Sequence, residues 1–516
     1  MTGWEARPRP ARGAGMRNSG IGEIPPRGGR GRDARGSGCR RPGPASCLPA
    51  PRVNRCGSAA PVLLALAVVA MGACGGEPRT VVDGDLAFVG VNVLPMDTER
   101  VLEGRTVVID DGRIASIDPS ARVEPAEGVE IIEADGHYLM PGLAEMHGHL
   151  PNPRMSDEDI RNLLFLYLAN GVTTVRGMQG DPSQFDLRSS IERGLLLGPR
   201  LYLASVSMSG ARVTTPEEAE QLARRYRADG YDLIKTHEGL SPEVFDALAA
   251  TAAEVDIPFG GHVSDFVGLR RALELGQVSV DHLDNYVEAL VPEDTRPDDA
   301  RGLAAVGALV DQVDESRIPE LVQATIDAGA WVVPTMVLWE TAFYNDRGSV
   351  DVLPERPEVR YMPPETVDRW RQAVDTRLGA SDVETNRRVA ELRRRILAAL
   401  HAGGANIALG TDSPQIFSVP GFAMHHEMAL YVEVGMTPYE VLEIGTRRPA
   451  EYFGAEDEFG TVAVGRRADL VLLAANPLDD IGNVRGPAGV MVGGRWIPAA
   501  EIEERLTRIA RFYGNE

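Results

Sequence analysis

The chain contains a single lysine, Lys235 in the stretch DLIKTHEG, among 53 residues that are lysine or arginine. Arginine keeps its proton in proteins, whereas a buried amine can become neutral and nucleophilic. In a chain that otherwise uses arginine for positive charge, a retained amine suggests chemistry that arginine cannot perform. The alternative is chance, with Lys235 in an ordinary ion pair.

Histidines and one aspartate form a second set of candidates. His147 and His149 lie two residues apart in AEMHGHL, so the period of two in a strand directs both imidazoles to one side. That pair alone could bind a metal or simply be half-exposed. His262, His282 and Asp412 each follow a further apolar run, in GGHVS, VDHLD and LGTDS.

The elements around these residues predict a barrel. From Pro141 to about Pro449, eight short apolar runs alternate with amphipathic stretches of helical period. This rhythm is typical of an α/β fold, the (β/α)8 TIM barrel. Every candidate above lies at the end of one of the runs, on the face where such barrels carry their chemistry.

The segments on either side of the barrel predict a smaller domain. Residues 75–140 and 451–516 hold short strands with hairpin turns such as DDG. We expect these two parts to pair as a small β-sandwich, followed by a C-terminal helix, beside a barrel that spans residues 141–450.

With these motifs, the chain resembles the amidohydrolase superfamily, and within it the imidazolonepropionase-like and prolidase-like hydrolases of the Xaa-Pro or broad dipeptidase type. The resemblance runs from about Val81 to Leu478 and is carried by PGLAEMHGH, GVTTVRG, DLIKTH, GGHVS, SVDHLD, LGTDSP and GRRADLVLLAANPL. It implies two divalent metal ions and a CO2-derived carboxylate on Lys235. Imidazole and carboxylate ligands favour zinc. The implied ligands are His147, His149, Lys235, His262, His282 and Asp412.

The implied chemistry explains why the chain retains a lysine at position 235. Carbon dioxide adds to a neutral amine and gives a carbamate whose two oxygens can bridge two metals, a reaction closed to arginine. Two metals about 3.5–4 Å apart can make a bridging hydroxide available at neutral pH. The resemblance therefore implies hydrolysis of an amide C–N bond by that hydroxide, with Asp412 as general base.

The expected substrates are dipeptides or N-acyl amino acids. Two alternatives stay open. One is hydrolysis of a cyclic amide, lactone or carbamate by the same kind of site. The other, more remote, is a metal-binding lipoprotein without catalytic activity.

Four further residues are candidates for substrate contacts. His237 lies two residues beyond Lys235, on the same side of its strand, and Arg176 in TTVRG could pair with a substrate carboxylate. Tyr286 and Thr335 could line the same cavity. The alternative for each is structural, namely a polar lining residue for His237 and an ion pair for Arg176.

Composition narrows the choice of partners. The 516 residues are 43% hydrophobic and carry a net charge of −22, which disfavours nucleic acid. We expect a small molecule or dipeptide as substrate. The sequence is compatible with a homo-oligomer but does not define one.

Residues 1–74 are interpreted as a leader. Near its end, AAPVLLALAVVAMGAC is too short to span a bilayer and is typical of an export signal. The small residues before Cys74 resemble a bacterial lipoprotein signal, so we expect an exported protein of the cell envelope, held at the membrane only by a lipid on Cys74. We also expect translation to begin near Val53, which would make the preceding segment a gene-model artefact. All four cysteines lie in the leader, so the exported part has none for disulfides.

Overall fold

The computed structural model describes residues 79–292, 295, 303–340, 351–378 and 382–515. The chain divides into two units, residues 1–73 and 74–516. All elements given below belong to the second unit. The predicted leader, its export signal and Cys74 lie outside the described residues.

The described chain begins with short strands separated by tight turns. The predicted DDG hairpin is present, because the strands on either side of it pair antiparallel and Gly112 takes a φ of +69° in the turn. These strands are β1 (Thr80–Val82), β2 (Leu86–Val93), β3 (Leu102–Asp110), β4 (Arg113–Pro119), β5 (Val123–Pro125), β6 (Glu130–Glu133) and β7 (Tyr138–Pro141).

Eight parallel strands follow within the described residues. They are β8 (Leu143–Gly148), β9 (Val172–Gly177), β10 (Arg200–Leu203), β11 (Ile234–Thr236), β12 (Phe259–Gly261), β13 (Ser279–Asp281), β14 (Trp331–Val333) and β15 (Asn406–Ile407). Strands β8 to β10 form one sheet and β11 to β15 another. Isolated parallel bridges, Ala204 with Leu233 and Gly148 with Ser413, connect the two sheets at both edges.

Helices separate the parallel strands, so the α/β class predicted from the sequence is confirmed. The helices are Asp157–Ala169, Gln184–Glu192, Pro216–Asp229, Pro242–Glu254, Leu269–Glu274, Tyr286–Ala289, Leu303–Leu309, Ile318–Asp327, Met336–Leu338, Pro364–Leu378, Val383–Gly403, Phe422–Val434, Pro438–Gly445, Arg447–Phe453 and Ala499–Phe512. Short 3-10 helices are Val310–Gln312, Glu315–Arg317, Leu353–Glu355, Pro357–Tyr361 and Ile481–Val484.

Local sequence signals explain where several helices begin. Ser156, Thr215 and Thr437 each accept a hydrogen bond from the backbone N–H three residues on, and an acidic side chain at that position bonds back to the cap. Such capping boxes satisfy backbone donors that a helix leaves unpaired at its start. They fix the residues at which these three helices begin.

Most of the strands before and after the parallel ones share a single sheet. Its last members are β16 (Leu470–Leu473), β17 (Gly489–Val492) and β18 (Arg495–Pro498). Strand β16 pairs antiparallel with β7, which joins the early and late segments in one eight-stranded mixed sheet. Strands β1 and β5 form a separate parallel pair.

The first two parallel strands bury polar side chains as well as apolar ones. Every residue of β8 and β9 is buried, including Glu145, His147, Thr174 and Arg176. Buried polar groups must find partners, so the packing inside these strands is decided by hydrogen bonds as well as by apolar contact. Among the described residues, no helix is both long and apolar enough to cross a membrane.

Candidate functional site

The carboxyl ends of the parallel strands bring together the six residues expected to bind metal. His147 is in β8 and Lys235 in β11, while His149, His262 and His282 each come directly after a strand. Asp412 lies five residues beyond β15. Its φ is +60° and its backbone N–H donates to the His147 carbonyl at 2.7 Å, which fixes its approach to the histidines.

The side chains form one cluster. Asp412 Oδ1 lies 2.8 Å from His149 Nε2 and 3.6 Å from His147 Nε2, and Asp412 Oδ2 lies 3.9 Å from His282 Nδ1. The ring centroid of His282 is 4.5 Å from that of His147 and 4.4 Å from that of His262. Donor atoms of His147, His282 and Asp412 all lie within 4.8 Å of one another, as a shared metal ion would require.

Lys235 is enclosed beside this cluster. Its Nζ is buried, has no hydrogen-bond partner, and lies 3.9 Å from Asp281 Oδ2. Gly261 makes room for it: a Cβ there would lie 2.6 Å from Lys235 Cδ and 3.0 Å from Nζ, and its φ of +120° favours glycine. Burial lowers the pKa of Lys235 below its usual value, which favours the neutral amine.

Two aspartates orient two of the histidines. His147 Nδ1 donates to Asp281 Oδ2 at 2.7 Å, and His262 Nδ1 lies 2.7 Å from Asp284 Oδ2, in a carboxyl whose pKa burial raises to about 8. In His147 this leaves Nε2 as the unprotonated nitrogen. Burial lowers the pKa of His147 well below its usual value and that of His262 to about 3, so both are neutral imidazoles able to donate a lone pair.

A hydroxyl orients the third ring. His282 Nδ1 bonds to Thr335 Oγ1 at 2.8 Å, while its Nε2 is buried without a hydrogen-bond partner. Burial lowers the pKa of His282 well below its usual value. A buried polar atom without a partner is uncommon in folded proteins. The Nε2 of His282 and the Nζ of Lys235 are thus buried polar atoms without a hydrogen-bond partner, which is the setting expected of groups that bind a ligand.

The six residues expected to bind metal all line one cavity, whose volume is about 290 Å³. His237 also lines this cavity, with its ring centroid 4.3 Å from that of His262. Burial lowers the pKa of His237 to about 3, so this ring too is neutral. The remaining walls of the cavity are Met178, Gln179, Ser207, Glu238, Asp284, Leu338, Trp339 and Gln415.

Three other residues expected to contact substrate are placed elsewhere. Arg176 is buried in an ion pair with Asp281, at 3.2 Å, which is the arrangement of the structural alternative to its predicted role as a carboxylate anchor. Tyr286 is buried and its hydroxyl lies 2.7 Å from Thr325 Oγ1. Thr335 is also buried, and its hydroxyl bonds to His282 Nδ1. None of the three is among the described residues that line the cavity.

Several site residues were missed by the sequence analysis. Asp281 and Asp284 flank His282 in VDHLD, and carboxylates so close to a candidate histidine were a signal that could have been used. Gln415 donates from Nε2 to Asp412 Oδ2 at 2.9 Å. It lies in a loop without periodicity, so nothing in the sequence marks it. Trp339 follows a predicted strand but has no motif of its own.

Comparison with known proteins gives one family. A model described as "Amidohydrolase family" matches residues 138–497. An adenine deaminase of Deinococcus deserti is 24% identical over 410 residues, which are 77% of this chain and 58% of the deaminase. A dihydroorotase of Streptomyces coelicolor is 32% identical over 186 residues, 36% of this chain and 37% of that protein. This chain thus spans little more than half the length of the first relative.

Solved structures of other proteins resemble this chain in fold. A bottromycin amidohydrolase superposes with a TM-score of 0.63 at 24% identity, covering 83% of this chain and 90% of the other. A protein described as a putative prolidase from Bifidobacterium longum gives a TM-score of 0.60 at 24% identity, covering 83% and 98%. These likenesses support an α/β fold of the TIM-barrel type.

Proposed function

Because this chain belongs to the amidohydrolase family, we propose that it is a metal-dependent hydrolase that cleaves an amide C–N bond, with dipeptides or N-acyl amino acids as substrates. The observation that carries the proposal is the buried, unpaired Nζ of the only lysine, which lies 3.9 Å from Asp281 Oδ2 and lines the same cavity as the histidines. An ion pair alone would not require this setting.

The residues fit two divalent ions, for which we propose zinc. His147, His149, His262 and His282 supply imidazole nitrogens, and Asp412 supplies a carboxylate. The neutral amine of Lys235 would add to CO2, forming an N–C bond and releasing one proton, to give an anionic carbamate with two donor oxygens. When bound, the ions would activate water and polarise the substrate carbonyl.

The protein's own groups would manage position and protons. We propose that Asp412 accepts a proton from the attacking water and delivers it to the departing nitrogen. The bond from Gln415 Nε2 holds Asp412 Oδ2 in place during both transfers. Asp281, Asp284 and Thr335 keep the histidine rings aimed at the cavity.

A second candidate is hydrolysis of a cyclic amide, lactone or carbamate. Two observations favour it. One relative is named a dihydroorotase. In addition, the described residues lining the cavity include no arginine that could pair with the free carboxylate of a dipeptide, since Arg176 is occupied by Asp281.

A substrate screen tests both candidates. Purified protein is assayed against dipeptides, N-acyl amino acids, cyclic amides, lactones, carbamates and adenine, with Asp412→Asn as the matched inactive variant. Turnover of dipeptides or N-acyl amino acids, lost in Asp412→Asn, supports the proposal. Turnover confined to cyclic amides, lactones or carbamates favours the second candidate. If the protein binds metal but turns over none of these substrates, the result favours the alternative of a metal-binding lipoprotein without catalytic activity.

We also propose the wider organisation expected from the sequence. In it, residues 141–450 form a closed barrel, 75–140 and 451–516 form a β-sandwich domain, and Cys74 carries the lipid of an exported envelope protein. The bridges Ala204 with Leu233 and Gly148 with Ser413 support closure of the barrel. The pairing of β7 with β16 supports a single domain built from both flanking segments.

A further inference from the structure

A second and larger cavity adjoins the first. Its volume is about 1170 Å³, against about 290 Å³ for the cavity that holds the histidines. Gln415 lines both cavities and is the wall they share. Sites for small molecules commonly measure about 300–1000 Å³. The first cavity therefore lies at the lower end of this range, whereas the second could hold a much larger group.

The same two loops build both cavities. Asn152 lies three residues beyond His149 in the loop after β8, and Pro414 lies two residues beyond Asp412 in the loop after β15. Asn152 and Pro414 line the larger cavity. A group bound there would rest on the loops that carry two of the proposed metal ligands, so the larger cavity is a continuation of the site.

The lining of the larger cavity suits a peptide. Tyr361, Trp370 and Phe512 present aromatic surface, and Met155 adds a flexible apolar side chain. Polar and charged groups interrupt this surface, among them Arg369 from the long insertion between β14 and β15. A mixed surface of this kind can take apolar side chains together with the polar backbone between them.

The shared wall indicates which half of the substrate enters. In the proposed reaction Asp412 delivers a proton to the departing nitrogen, so the amine half lies beside Asp412. Gln415 bonds to Asp412 Oδ2 and forms the boundary of the larger cavity. Gln415 therefore places the larger cavity on the Asp412 side of the site, next to the amine half.

We propose that the substrate's amine half is a peptide of more than one residue with apolar or aromatic side chains, and that the larger cavity binds it. This inference rests on the proposed amide hydrolysis and extends its substrate class from dipeptides to longer peptides. It predicts a preference for substrates longer than a dipeptide.

Two matched substrate series test the preference. In the first, an acetyl group is joined to phenylalanine, to Phe-Leu or to Phe-Leu-Phe, and release of acetate is measured. In the second, the amine half stays phenylalanine and the acyl half grows from acetyl to acetyl-Leu and acetyl-Phe-Leu. One well-placed apolar group changes kcat/KM about 10–200-fold. We expect a rise of at least about tenfold along the first series only.

A pair of variants assigns the preference to the cavity. Ala373 lines it, whereas Gln372, on the same helix, is exposed. Ala373→Trp should lower the ratio of kcat/KM for the three-residue to the one-residue amine half about tenfold or more, and Gln372→Trp should leave that ratio unchanged. Because both rates come from the same preparation, the ratio does not depend on the fraction of folded protein.

Binding of the product gives a readout separate from turnover. Titration calorimetry with the tripeptide Phe-Leu-Phe should show binding to the wild type and to Gln372→Trp, and loss of binding in Ala373→Trp. A flat first series, or a rise only along the second, would overturn the inference while leaving the proposed function intact. Absence of turnover on every amide would overturn both.

Discussion

Replacement of Arg176 tests whether this residue supports the site or binds substrate. The guanidinium is buried and donates through Nη2 to both oxygens of Asp281 at 3.2 Å, and through Nη1 to Ser279 Oγ at 3.1 Å and Tyr452 OH at 2.9 Å. Burial favours the neutral form of Asp281, but the charge of Arg176 opposes it, and the pKa of this carboxyl lies below its usual value. Asp281 is thus a buried anion that depends on a buried cation.

Arg176→Met removes the cation and leaves the anion. Breaking a buried ion pair from one side costs about 3–5 kcal/mol, because the remaining charge stays desolvated. We expect a loss of that order in the free energy of unfolding. Asp281 also orients His147, so metal content should fall as well. An exposed pair contributes little, and Arg508→Met, which breaks the exposed contact with Glu504, is the control.

Urea denaturation of the wild type, Arg176→Met and Arg508→Met measures the difference. Steady-state kinetics on substrates with and without a free carboxylate accompany it. A loss of stability no larger than in Arg508→Met would refute the structural role. So would a rise in KM limited to carboxylate substrates, since that result would return Arg176 to substrate binding.

Three further predictions concern other parts of the chain. Burial, with a smaller effect from Arg485, lowers the pKa of His425 to about 4. Between pH 6.5 and about 4, the unfolded chain therefore binds a proton at His425 that the folded protein does not bind. The free energy of unfolding should fall as the pH is lowered through this range. In His425→Leu that fall, measured by urea denaturation across this range, should be shallower by up to about 1.4 kcal/mol per pH unit, and an unchanged slope would count against burial. Thr335→Val removes the partner of His282 Nδ1 and should weaken metal affinity about 10–100-fold in a chelator competition; unaltered affinity would show that the hydroxyl does not orient the ring. Mass spectrometry of protein from its native cells should find a lipid-modified N-terminus at Cys74, and an unmodified N-terminus elsewhere would remove the proposed anchor.

The features that depend on local hydrophobic periodicity could be predicted from the sequence. The position of His147 and His149 at the end of one strand, and the apolar runs before Lys235, His262 and His282, follow from alternation and element order alone. The α/β class and the amidohydrolase resemblance are both confirmed. These features need no knowledge of which distant side chains meet.

The features that depend on distant partners were not predictable. Arg176 sits in a buried strand, and its direction is decided by Asp281, which lies 105 residues further along the chain. Tyr286 begins a short helix that turns its ring toward Thr325 instead of the cavity. Gln415 reaches Asp412 through a loop in which the next two residues have positive φ, a conformation that the local sequence does not announce.

The central claim is that Lys235 acts as a carboxylated bridge between two metal ions, and elemental analysis of Lys235→Arg tests it most directly. Arginine keeps the charge but cannot take up CO2. The wild type should contain about two divalent ions per chain, and Lys235→Arg should contain none and be inactive. Lys235→Ala, which leaves a gap without a fixed charge, should regain metal and some activity with added propionate. Wild-type metal content and activity in Lys235→Arg would contradict the account.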